Sequence, residues 1–437
     1  MEYLSNIFFA IALIVGIGFF VMNVRKLIRN IRLGRDVNRS DNKSARWKNM
    51  ARVALGQSKM VSRPFAGFLH IIVYIGFVII NIEVLEIVID GLFGTHRVFL
   101  PLLGETIYGF LIGSFEILAA LVLVSVILFW LRRNIANIKR FLSKEMTGWP
   151  KNDGNLILYF EMVLMTLFIV MNAADPEFQK AGAGNPISQF VAPLLNGVAP
   201  DTVSLIEHAA WWLHIIGILI FLNYLYYSKH LHILLAFPNT FYANLNPKGQ
   251  FTNLESVTNE VKMMMDPDAD PYAMPEEGAE DAMPEKFGAS DVTDLNWVQL
   301  LNAYTCTECG RCTSSCPANL TGKELSPRAI MMKTRDRLEE VGKNIDKNKG
   351  VFKDDGKQLL NDYITPEELW ACTSCNACVE ECPIDIDPLS IIMDMRRYLV
   401  MEQSAAPQEL NMMMTNIENN GAPWQYSQQD RLNWKDE

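Results

Sequence analysis

Apolar residues crowd into five runs before residue 230, at approximately 4–24, 65–90, 107–131, 155–174 and 206–228, with polar stretches between them. A helix needs about 20 such residues to cross a bilayer, and each run is long enough. A buried helix of a soluble core would account for any one run, but five in succession predict a membrane bundle. The first run opens almost at once, without a basic leader or a small-residue cleavage site, and so reads as a retained helix. After Pro238 the apolar character stops. Residues 250–291 are rich in Asp, Glu, Pro and Met, which predicts a solvated linker with little core. A helical pattern resumes over 294–304. Further on, Ser326-Pro327 suits an N-cap followed by Pro at the first helical position, and Thr365-Pro366-Glu367-Glu368 makes a capping box ahead of Leu369-Trp370. The predicted fold is all-α. A five-helix transmembrane bundle occupies 1–240, an acidic linker 241–293, an α-helical domain 294–402 and a polar tail 403–437.

Loop charges predict the orientation. Residues 25–63 carry twelve Lys or Arg against Asp36 and Asp41, and Arg132, Arg133, Lys139, Arg140, Lys144 and Lys151 follow the third run. The segments 91–106 and 175–205 hold few basic residues. The positive-inside rule places the basic loops in the cytoplasm. The N-terminus is then outside, and five crossings leave the C-terminal domain inside, in a reducing compartment. The 437 residues are half hydrophobic with a formal charge of −10, which gives no support to a nucleic-acid surface.

The eight cysteines form two blocks of identical spacing, Cys306-x2-Cys309-x2-Cys312-x3-Cys316-Pro317 and Cys372-x2-Cys375-x2-Cys378-x3-Cys382-Pro383. Zinc sites have no use for a third Cys at x2 and a fourth at x3 before Pro, and disulfide frameworks belong to small secreted chains. The spacing is that of two [4Fe-4S] clusters. In the two-cluster pattern the fourth cysteine of each run serves the other cluster. Cys306, Cys309, Cys312 and Cys382 are therefore expected around one cluster, and Cys372, Cys375, Cys378 and Cys316 around the other.

Histidine is costly within a membrane unless it has a partner. His214 and His232 are eighteen positions apart, five complete turns of an ideal helix, and so share a face of the fifth helix and its extension. His70 lies two turns into the second helix, level with His232, and haem iron held by this pair is the simplest partner. His230 is the competing neighbour, and His96 and His208 read as interfacial. Glu83, Glu86 and Asp90 line one face near the outer end of the second helix, with Glu116 at similar height in the third. Glu83, Glu86 and Glu116 are candidates to take up a quinol proton, although carboxylates at helix ends also simply reach water. Glu161 lies near the inner end of the fourth helix.

The segment Ser228-Lys229-His230-Leu231-His232, preceded by His214, resembles the last helix of the respiratory nitrate reductase gamma-subunit family. Related anchors in heterodisulfide reductases and sulfite-reduction-associated membrane complexes look similar. The resemblance implies two b haems held by histidines of the second and fifth helices. On it His70 and His232 are the inner ligands and His214 an outer one. Ten positions beyond His70, where the gamma subunit has its second ligand, this chain has Ile80, which cannot bind iron. One haem b is therefore expected, and a second would need another partner for His214, with His96 the only obvious candidate.

Cys306-Thr307-Glu308-Cys309-Gly310-Arg311-Cys312, Leu325-Ser326-Pro327 and Asp394-Met395-Arg396-Arg397-Tyr398-Leu399 are similar to the membrane Fe–S oxidoreductases that fuse such an anchor to a helical two-cluster ferredoxin module. The two resemblances cover about residues 1–400. Those larger relatives continue into cysteine-rich CCG repeats, whereas no cysteine follows Cys382 here. The CCG chemistry is accordingly expected on another polypeptide or absent. The resemblance implies an electron-transfer subunit of the cytoplasmic membrane that links menaquinone or another quinone to a cytoplasmic CCG-domain oxidoreductase, with a flavoprotein upstream. A membrane-bound Fe–S redox sensor or cofactor-assembly protein is the alternative.

Overall fold

A computed structural model describes residues 3–181, 184–247, 249–267, 286–425 and 427–436. Much of the acidic linker, residues 268–285, lies outside the described residues. The described chain is helical, with no strand. Five helices are long and apolar enough to cross a membrane: α1 Leu4–Ile31, α2 Pro64–Phe93, α3 Phe99–Asn134, α4 Trp149–Ala174 and α5 Pro200–Tyr224. Three begin on a proline in the first turn, where the missing N–H costs nothing. They pack in a ring in which each helix meets the next and α5 returns to α1. Phe9, Ile80, Ile112, Phe115, Phe168 and Ile215 fill the centre, while Ile14, Phe68, Val78, Phe110 and Leu205 stay exposed, as lipid-facing side chains would be.

α5 does not run on to His232. After a short 3-10 turn, Ser228 is extended (φ −116°, ψ 146°), and its hydroxyl accepts from the His230 amide to start a new turn. A separate helix, α6, begins at His232 and ends at Phe241. The expected common helical face of His214 and His232 is therefore corrected. The break is held from α4, where Asp153 accepts from the Tyr224 hydroxyl (2.6 Å) and the Lys229 amide (3.2 Å).

The helical domain packs directly against one end of the ring. Its core includes Leu300, Ile330, Leu338, Ile391 and Met395, and it also takes in Leu27 of α1 and Leu225 and Leu231 beside the Ser228 break. The two parts thus share a hydrophobic core at this end. Residues 286–294 are built into the same domain: Ala289 and Val292 are buried, and Asp291 pairs with the fully buried Arg337 at 2.8 Å. Within the domain lie α7 Trp297–Thr305, α8 Pro327–Lys347 and α9 Pro388–Met401. Both expected caps are present. Ser326 accepts from the Ala329 amide at the start of α8, and Thr365 and Glu368 form a reciprocal capping box.

Candidate functional site

The two cysteine loops repeat one backbone conformation. Glu308 and Gly310 have φ of 54° and 72°, and Ser374 and Asn376, at the same places in the second block, have 57° and 60°. Left-handed residues on either side of the middle cysteine reverse the chain twice in five residues, which lets three sulfurs come from one loop. Gly310 is required on steric grounds as well, because a Cβ there would sit 2.4 Å from Nη1 of Arg328. Asn376 has φ of the same sign and carries a side chain of the type that tolerates it.

The fourth cysteine of each block lies near the other block: Cys382 is close to Cys306 and Cys309, and Cys316 is close to Cys372 and Cys378. Cys306, Cys309, Cys312 and Cys382 line one small cavity, together with Cys378 of the second block and Gly310, Arg311, Met331 and Ile386. Burial pushes the Cys306 thiol up to about 11 and the Cys382 thiol up to about 12, and Cys309 adds to both. Burial also raises the Cys378 thiol, where Asp387, Cys372, Cys316 and Cys375 add to the effect. Cys312 is raised by burial and by Cys309, Cys306, Cys382 and Cys378, so the two sets adjoin. Among the described residues no three His, Cys, Asp or Glu are grouped tightly enough for a single metal ion. Of the eight cysteines only Cys375 is exposed.

His70 and His232 face each other across the ring, with ring centroids 6.5 Å apart and planes 40° apart. Nδ1 of His70 is buried without a hydrogen-bond partner, while Nδ1 of His232 donates to the Lys229 carbonyl at 3.0 Å and leaves its other nitrogen as the acceptor. Two imidazoles bound to one metal at ~2 Å per bond have centroids ~6 Å apart, so the spacing of His70 and His232 would suit two ligands of one metal centre. His230 is edge-on to His232 at 5.4 Å, tilted by 43° against the Phe221 ring and 3.5 Å from Glu161. His214 is placed differently. It is buried, bonds the Leu164 carbonyl at 3.0 Å and has Phe168, not a histidine, as its ring neighbour. Ile80 is part of the bundle core. His96 is more than half exposed (58 %) and pairs with Asp175 at 3.4 Å.

The histidine pair and the first cysteine loop are joined by charge. Lys229 pairs with Glu308 of the loop and lies 3.7 Å from Asp153 of α4. Glu308 also meets Arg335 of α8 at 2.9 Å. Burial disfavours the Glu308 carboxylate, but Lys229 and Arg335 outweigh it and hold the group below the usual range. Arg311 of the loop donates to the Lys59 carbonyl at 2.9 Å and the Ser62 hydroxyl at 3.3 Å, tying the loop to the segment that precedes α2. Sequence reading missed this clamp. Its signal was Lys229, a charged residue between Ser228 and two histidines at the end of an apolar run.

The far end of the ring holds a second polar network, centred on Arg97. Arg97 donates to Asp175 (3.0 Å), Asn172 (3.1 Å) and the Tyr108 hydroxyl (3.2 Å), and Tyr108 donates to Glu86 at 3.0 Å. Glu86 also accepts from the Phe99 amide (2.8 Å), and Glu116 accepts from Asn172 and from the amides of Ile187 and Ser188. These two acids are thus tied into the far-end loops. Glu83 is buried beside them with one carboxyl oxygen unpartnered. It lies thirteen residues beyond His70, ~20 Å along α2.

The 4Fe-4S dicluster domain family matches residues 305–386. Along nearly its whole length the chain is similar to the "Probable iron-sulfur-binding oxidoreductase FadF" of Bacillus subtilis (strain 168), at 28% identity over 467 residues, 99% of this chain and 61% of that protein. It is also similar to the "EtfAB:quinone oxidoreductase" of Syntrophomonas wolfei subsp. wolfei, at 23% identity over 435 residues, 92% of this chain and 55% of that one. A third relative belongs to the ferredoxin/F(420)H(2)-dependent CoB-CoM heterodisulfide reductase of Methanosarcina acetivorans. That polypeptide is 32% identical over 108 residues, 25% of this chain and 53% of its own length. The chain spans just over half the length of the two relatives it matches end to end. No solved structure matches it. Its relatives are iron-sulfur oxidoreductases and electron-transfer subunits, and its C-terminal domain is of the dicluster iron-sulfur kind.

Proposed function

We propose that this chain is a membrane-bound electron-transfer subunit that links the menaquinone pool, or another quinone, to a cytoplasmic oxidoreductase partner. Cys306, Cys309, Cys312 and Cys382 hold one [4Fe-4S] cluster, and Cys372, Cys375, Cys378 and Cys316 hold the other. His70 and His232 hold a haem b. These groups supply one-electron redox chemistry when bound; the protein sets their spacing and surroundings. The anchor is of the nitrate reductase gamma type, with the N-terminus outside and the iron-sulfur domain in the cytoplasm, as its basic loops favour. The partner is a CCG-domain oxidoreductase, with a flavoprotein feeding the assembly. The names of the relatives favour this class, one being an EtfAB:quinone oxidoreductase and another part of a heterodisulfide reductase.

The observation that carries the reading is the position of the histidine pair. It lies at the cluster-side end of the ring, and the Lys229–Glu308 pair and Arg311 clamp the first cysteine loop to that same end. The second loop, with the exposed Cys375, is the one that opens to a partner. Two carboxyls compete for the quinol proton: Glu83, one oxygen of which has no partner, and Glu161, which sits with His230 at the level of the histidine pair. The ~20 Å between Glu83 and His70 favours Glu161.

In membranes, a menaquinol analogue should reduce a b-type absorption band that a cytosolic acceptor then reoxidises. Protein extracted gently with full iron and sulfide but no haem would sink the proposal.

A further inference from the structure

One cavity lies away from the histidines, at the rim of the ring where α2 and α3 meet the first cysteine loop. It is open, about 610 Å³, and lined by Ser62, Arg63, Pro64, Phe65, Ala66, Arg132, Ile138, Lys139, Arg140 and Ser314. Four of these carry positive charge. Among the described residues the one carboxylate within ion-pair reach of any of them is Glu381, which is 3.5 Å from Arg63. Nε of Arg140 is buried and has no partner. Arg63 is the N-cap of α2 and gives it no side-chain cap, so the first turn of a 30-residue helix opens toward the cavity. Cationic side chains and uncapped helix amides converge here on space for an anion.

The position says which anion. The cavity is at the cluster-side ends of two of the five long apolar helices, where their apolar runs give way to basic residues, as they would at a lipid headgroup layer. Its floor is apolar: Phe65 lies under the Arg132 guanidinium at 5.1 Å, and Phe65, Phe68 and Ile135 are exposed beside it. A free phosphate would use the charges and leave this apolar strip uncovered; a phospholipid would use both. On the opposite wall is Ser314, between Cys312 and Cys316, whose hydroxyl is 3.5 Å from Arg63.

We propose that this cavity binds the headgroup of an anionic glycerophospholipid, with its acyl chains along Phe65 and Phe68, and that the lipid bridges the membrane ring to the first cysteine loop. The site does not depend on the redox reading, since it requires only the ring, the loop and a bilayer.

The test uses the full chain, delipidated in detergent and titrated with phosphatidylglycerol, phosphatidylcholine or sodium phosphate, with bound lipid counted by native mass spectrometry. Phosphatidylglycerol should bind roughly ten-fold tighter than phosphatidylcholine, a difference of about 1.4 kcal/mol. R132Q/K139Q should abolish that preference, while K144Q/K151Q, which removes equal charge from the same side, should keep it. K139E reverses an exposed charge and so guards against misfolding; it should weaken phosphatidylglycerol binding with iron content unchanged. Equal binding of the two lipids, equal losses in both double variants, or full displacement of lipid by millimolar phosphate would each overturn the proposal.

Discussion

The two ends of the membrane ring use similar residues for different ends. On the cluster side, two histidines face each other at 6.5 Å, one ring nitrogen is left unpartnered, and the adjoining charges reach into a cysteine loop. On the far side, a histidine lies buried against a backbone carbonyl, another is largely exposed beside an aspartate, and the charges close on one another around Arg97. A buried membrane histidine is thus weak evidence of a cofactor on its own. What distinguishes the cluster side is an opposed pair, one ring nitrogen of which, Nδ1 of His70, is buried with no partner.

The hardest test of that difference is to remove one histidine from each end. H70A should eliminate the b-type spectrum and the haem extracted per protein, since an axial ligand cannot be replaced by a methyl group. H214A should keep both, with a cavity cost of about 1–3 kcal/mol in stability. Loss of haem in H214A, or its retention in H70A, would reverse the assignment of the two ends.

The buried cations come next. K229M takes one of its two cations from Glu308 and the ammonium from Asp153, and R97M takes the guanidinium from Asp175, Asn172 and Tyr108; each acid keeps other partners, so either loss costs about 1–3 kcal/mol. The two should differ in what they release. K229M should speed iron loss to a chelator, because its partner lies in the first cysteine loop. R97M should lower the melting temperature while iron and haem stay bound.

Substituting the two competing acids should have a smaller effect, confined to turnover. E161Q should slow quinol oxidation by about 10²-fold, the lower range for loss of a proton acceptor. E83Q should stay within about two-fold, because an amide replaces a buried carboxyl of the same shape. If E83Q is the slower variant, quinone reacts at the far end, and the two ends exchange roles.

Much of this was legible in the chain because it rests on spacing. Five apolar runs became five long helices, and two cysteine blocks of identical spacing became two loops with left-handed residues at the same places. The level match of His70 with His232 also holds in space, though for a reason the sequence did not carry. The helical count from His214 assumed a continuous helix, and the extended Ser228, held through Asp153, replaces it with a turn. Contacts between distant segments stayed hidden for the same reason. Nothing local marks Arg97 as the hub for Asp175, Asn172 and Tyr108, which lie up to 78 positions away. Glu86 and Glu116 read as proton carriers from their position in the membrane, and only their backbone donors show them to be bound in place.

His96 gives the smallest effect and the most specific check on the far end. The Asp175 carboxylate beside it raises its pKa, against the opposing effect of burial. Because the folded value lies above the unfolded one of about 6.5, the pair stabilises the protein fully below that pH and loses its contribution as pH rises through the folded value. With His96 more than half exposed, solvent screening limits this to about 0.5 kcal/mol or less. H96Q should therefore lower stability slightly at pH 6, match the parent at pH 8, and leave haem per protein unchanged at both. A fall in haem would instead identify His96 as the missing partner of His214, and the far end would then hold a second cofactor.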